Sequence, residues 1–61
     1  MIEAAWVLNC LAYGYAKGVE DVVGQLTKVR SKTTREEVET RILELAEAGK
    51  IEAVGSGWRR A

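Results

Sequence analysis

The sequence has no proline, no histidine and one cysteine, Cys10. Without histidine there is no ordinary imidazole base, and neither a Ser-His nor a Cys-His nucleophile can be assembled. One thiol and no imidazole exclude a zinc site of the usual kind, so no metal is expected. A single cysteine also excludes an internal disulfide. A lone thiol in an apolar stretch reads as a buried structural group suited to a reducing compartment. Long apolar runs are missing too: the longest, Ala4 to Leu8, is far too short to cross a bilayer. The first charged residue is Glu3, so no basic region precedes that run, and a secretory signal is not expected. The default location is the cytoplasm, with no membrane partner. Formal net charge is zero, so bulk charge points to no class of partner.

What is present suits one folded unit. Sixty-one residues suffice for a single domain over residues 1–61. A chain of this size buries only about 60% of its unfolded surface and relies on close packing or on a partner chain. Nearly half the residues are apolar and nearly a third are charged, the balance of a globular chain. An initial Met1 is expected of a true start, whereas Ala61 leaves open a larger protein.

Glycines punctuate the chain. Ala4, Leu8, Leu11 and Tyr15 follow helical spacing, widened by Ala5, Trp6, Cys10, Ala12 and Tyr13, and predict a first helix over about 2–16. Such a helix, apolar on nearly all sides, is buried or shared with another chain. Val19, Val22, Val23 and Leu26 predict a second helix over about 19–28, with Glu20 and Asp21 at its start and Lys28 and Arg30 near its end, as the helix dipole favours. Thr33 with Glu36, and Thr34 with Glu37, both form capping-box patterns. They open a third helix over about 33–48, with Val38, Ile42 and Leu45 inward and Gly49 as its left-handed stop. Residues 50–60 read as a hairpin tipped by Gly55-Ser56-Gly57, with Ile51 and Trp58 packing on the helices.

Helix, helix, short turn, helix and hairpin is the order of a winged helix-turn-helix. The stretch Thr34 to Arg59 resembles the third helix and wing of that superfamily: an apolar triad at Val38, Ile42 and Leu45, then Glu47-Ala48-Gly49, the aliphatic Ile51 and a glycine-tipped hairpin. Gly18 to Leu26 resembles its second helix. The resemblance covers essentially the whole chain. It implies a mainly α fold, a three-helix bundle with a small β-hairpin wing. Most bacterial and archaeal members bind DNA, and a substantial minority are protein-interaction modules; fold alone does not decide between them.

Catalysis is not expected, nor is a cofactor. Glu36 and Glu37 are neighbours on a helix and point in different directions. Gly55-Ser56-Gly57 is too short for a phosphate loop and lacks the Lys-Ser or Lys-Thr that follows one. Lys28, Arg30, Ser31, Lys32, Thr33, Thr34 and Arg35 concentrate cations and hydroxyls where the resemblance places the duplex-facing segment. On that reading Arg35 reaches guanine, and Thr34 or Thr40 touches a base edge or thymine methyl. Lys28, Arg30 and Lys32 hold phosphates, and Arg59 and Arg60 add contacts beyond the wing. The same residues have plain structural roles as well: Lys28 and Arg30 at a helix end, Arg35 paired with Glu39, and Arg59 and Arg60 as solvated charges. Against DNA, residues 36–52 carry six acids and only two cations, Arg41 and Lys50. Trp6, Tyr13 and Tyr15 are candidates for a homodimer interface, and Leu43 is an apolar residue on the outer half of the third helix. The leading expectation is a small homodimeric DNA-binding winged-helix protein, a transcription regulator. The alternative is a protein-interaction module with the same fold.

Overall fold

The computed structural model describes residues 2–61. Three helices, α1 (Ala4–Cys10), α2 (Val19–Thr27) and α3 (Arg35–Glu47), are followed by strands β1 (Ile51–Val54) and β2 (Gly57–Arg60). The strands pair antiparallel, with Ile51 opposite Arg60 and Val54 opposite Gly57. The chain is therefore mainly α with a small β wing, an arrangement compatible with a winged helix.

The third helix shows how local sequence sets its ends. Thr34 is extended, and its Oγ1 accepts a hydrogen bond from the Glu37 amide at 3.2 Å. Glu36 and Glu37 then sit in the first turn, at the positive end of the helix dipole. Thr33 does not cap the helix; its Oγ1 donates to the Arg30 carbonyl at 2.8 Å and tightens the connection. The helix accordingly starts at Arg35, not at 33. At the other end Gly49 has φ +75°, the Gly49 amide donates to Ala46 O at 3.1 Å, and the Lys50 amide donates to Leu45 O at 3.0 Å. That is the Schellman arrangement, which satisfies the last carbonyls and turns the chain into β1. Thr34→Ala is expected to lower stability by about 1 kcal/mol, with Thr34→Ser near neutral, in chemical denaturation. Equal stabilities for the two variants would mean that the Thr34 hydroxyl contributes nothing as a cap.

The core is one cluster: Ile2, Val7, Leu11, Val22, Leu26, Val38, Ile42, Leu45 and Ile51. Val22 and Leu26 on α2, and Val38, Ile42 and Leu45 on α3, lie at the three- and four-residue spacings that put side chains on one helix face. Trp6, Leu8 and Trp58 pack half-buried against the cluster. Ile51 anchors the wing. A two-residue loop, Gly55-Ser56, joins the strands, with positive φ at Gly55 alone, as a type II′ turn requires.

The first helix departs from expectation. It stops at Cys10, and Leu11 is already extended with φ −94° and ψ 151°. Residues 12–17 run instead along the open edge of β2. Lys17 and Trp58 exchange two backbone hydrogen bonds of 2.8 Å, and the Arg60 amide donates to Ala12 O at 2.9 Å. Two causes combine. A two-stranded hairpin is not stable alone in water, and this strap provides a third strand-like edge. The carbonyls freed where α1 ends are then capped from elsewhere: Arg60 Nε donates to Leu8 O at 2.9 Å and Leu11 O at 3.0 Å, and Lys17 Nζ to Cys10 O at 2.8 Å.

Candidate interaction surfaces

The connection between α2 and α3 carries the basic segment. Lys28, Val29, Arg30, Ser31 and Lys32 are all exposed, and Val29 is 79% exposed. Leu26 ends the buried face of α2, so the chain turns there: the Val29 and Arg30 amides both donate to Leu26 O. That turn lays the Arg30 guanidinium over the Trp6 ring, 4.5 Å from its centroid. The cation is thus held on an aromatic face rather than extended into solvent. Beside it lies a shallow cleft of about 390 Å³ lined by Trp6, Asn9, Leu26, Val29 and Arg30. Lys28 and Lys32 make no ion pair with another described residue.

Arg35, expected to reach a base, is hydrogen-bonded to Glu20 at the start of α2 and lies 3.6 Å from Glu39. Thr34 Oγ1 is occupied as the helix cap, and Thr40 Oγ1 donates back to Glu36 O at 2.9 Å. Arg41 turns toward the body of the fold, where its Nε donates to Ile2 O at 3.1 Å and a terminal nitrogen pairs with Glu44 at 2.5 Å. Both cations of α3 are therefore engaged.

With Val38, Ile42 and Leu45 inward, the outward stripe of α3 is Glu36, Thr40, Leu43 and Glu47, at helical spacings of four, three and four. Glu39 and Glu44 flank it. Leu43 lies outside the core cluster and is 61% exposed. The outward face of the third helix is thus one exposed aliphatic residue among carboxylates.

The wing arginines have partners within the fold. Arg59 pairs with Glu52 directly across the hairpin at 2.6 Å. Arg60 caps α1 and also lies over the Tyr13 ring, 5.3 Å from its centroid. Lys17 lies 5.8 Å from the centroid of Tyr15 and donates to Gln25 Oε1 at 3.2 Å. The single helix expected to carry Trp6, Tyr13 and Tyr15 as dimer-interface candidates does not form. Tyr13 and Tyr15 are exposed on the strap beyond α1, whereas Trp6 is half-buried within it. Cys10 is half-buried, and burial pushes its thiol above the ordinary value, partly offset by the nearby Lys17 ammonium. No three His, Cys, Asp or Glu side chains among the described residues are grouped so as to hold a metal ion. Among the described residues, no helix is long and apolar enough to cross a membrane.

Two features had no local signal in the sequence. The Arg60 cap joins residues about fifty positions apart, and no short-range pattern marks it. The Trp6–Arg30 stack was equally silent, although an aromatic residue within α1 and an arginine just beyond α2 are the right types for it. No family model, curated protein or solved structure matches this chain.

Proposed function

We propose that the chain is a protein-interaction module that docks through the outward face of α3. The observation that carries this reading is the make-up of that face: Leu43 exposed between Glu36 and Glu47, with Glu39 and Glu44 beside it and both arginines of the helix engaged. A helix that enters the major groove lies between two phosphate rows, with one negative charge per roughly 1.7 Å of duplex axis. Carboxylates along the entering stripe are repelled there, and no cation on that stripe offsets them. The same stripe suits a partner surface that is basic and has a hollow for one aliphatic side chain, with Leu43 as the apolar centre and the carboxylates as the polar rim.

The test is a titration of the chain against a random-sequence duplex at low and moderate salt. The expected result is no binding even at low salt. A second reading, duplex binding through the α2–α3 connection, has its own support: Lys28, Ser31 and Lys32 are exposed, and neither lysine is ion-paired with another described residue. It requires binding that weakens steeply with salt and is reduced by Lys28→Ala and Lys32→Ala but not by Glu47→Ala. That pattern would replace the protein-docking reading with the duplex-binding one.

A further inference from the structure

We infer that the partner docked on α3 is a second copy of this chain, which receives Leu43 in the cleft beside Trp6. The inference rests on the reading of α3 as a protein-docking face. It follows from a match between two surfaces that the fold holds apart. One is a knob: Leu43, 61% exposed, with the carboxylates of Glu36 and Glu47 on either side along the helix. Helical rise places those two residues roughly 10 Å before it and roughly 6 Å after it. The other is a hollow of about 390 Å³ with apolar walls from Trp6, Leu26 and Val29. Arg30 lines it, and Lys32 lines an adjoining depression that shares Val29 and Arg30 with it.

An apolar knob flanked by acids thus has an apolar hollow flanked by bases as its complement, and both belong to one neutral chain. Charge complementarity of this kind sets partner choice and register more than affinity. Within one molecule the two surfaces are different patches, so the contact can be made in two ways. A reciprocal exchange, each knob in the other copy's hollow, closes a two-fold dimer, whereas a knob given to one neighbour and a hollow to another builds an open chain or a ring.

The experiment measures mass in solution for three proteins: the unaltered chain, a hollow variant Val29→Ser/Lys32→Glu, and a knob variant Leu43→Ala/Glu47→Lys. All four substituted side chains are exposed, so unfolding midpoints close to that of the unaltered chain are the control for folding. The unaltered chain should grow in mass with concentration at low salt and associate more weakly near 1 M salt, where the screening length is about 3 Å. Each variant alone should remain monomeric. An equimolar mixture should form a one-to-one pair and no larger species, because one intact knob and one intact hollow remain between them. An unaltered chain that stays monomeric, variants that associate as the unaltered chain does, or a mixture that stays monomeric would each overturn the inference. A monomer that also leaves the duplex unbound removes only this inference and leaves α3 to a different protein. Duplex binding through α3 would remove both.

Discussion

Gly57→Ala is expected to cost roughly 2–3 kcal/mol, the overpacking range for a site that cannot relax. A Cβ at residue 57 would lie 2.8 Å from the Lys17 carbonyl oxygen, 2.9 Å from the carbonyl carbon and 3.3 Å from Ala16 Cβ. The first two are backbone atoms, fixed by the pair of 2.8 Å hydrogen bonds between Lys17 and Trp58, so the clash cannot be relieved by a side-chain swing. Relief requires the strap to leave the hairpin. A 61-residue chain has total stability on the order of 3–9 kcal/mol, so this one methyl group removes a large share of it. Gly24→Ala is the contrast, because a Cβ there meets nothing within 4 Å. In an exposed helix interior that change should stabilise by up to about 1 kcal/mol. Urea denaturation of both variants checks the pair; equal stabilities would mean that the strap is not bound to the wing as described.

Arg60→Ala is the second large effect, with an expected loss of about 1.5–3 kcal/mol, the range for a hydrogen bond to a charged donor in a part-buried setting. Its Nε serves Leu8 O and Leu11 O at once, and Lys17 Nζ serves Cys10 O beside them. A seven-residue helix has little stability of its own and depends on such caps and on tertiary packing. Arg60→Lys keeps the charge but not the planar donor geometry, so it should recover only part of the loss. If Arg60 served mainly as a solvated or phosphate-binding cation, both variants would denature at the same urea concentration as the unaltered chain.

These two residues mark the boundary of what was legible in the sequence. The second and third helices, the Gly49 stop and the glycine-tipped hairpin are written in local spacing and capping chemistry, and they lie within a residue or two of expectation. Val38, Ile42 and Leu45 were readable as one stripe because three- and four-residue spacing leaves few alternatives. Residues 11–17 were not readable in this way. Leu11, Ala12, Tyr13 and Tyr15 continue a helical apolar pattern, yet the chain there answers to the open edge of β2, some forty residues on. Non-local backbone pairing outweighed local periodicity. The surfaces show the same division. The acidic bias of the third helix was visible from composition. The engagement of Arg35 by Glu20, of Arg41 by Ile2 O and of Arg60 by α1 was not, because each partner lies at least fifteen residues away.

Whether α3 is a protein-docking face is decided most directly by an amide-resolved spectrum of the isotopically labelled chain, recorded while a random-sequence duplex is added at low salt. The amides of Glu36, Thr40, Leu43 and Glu47 are expected not to move. Shifts concentrated on those four residues, saturating with duplex and reversed by salt, would mean that α3 enters the groove despite its carboxylates, and the protein-docking reading would be wrong.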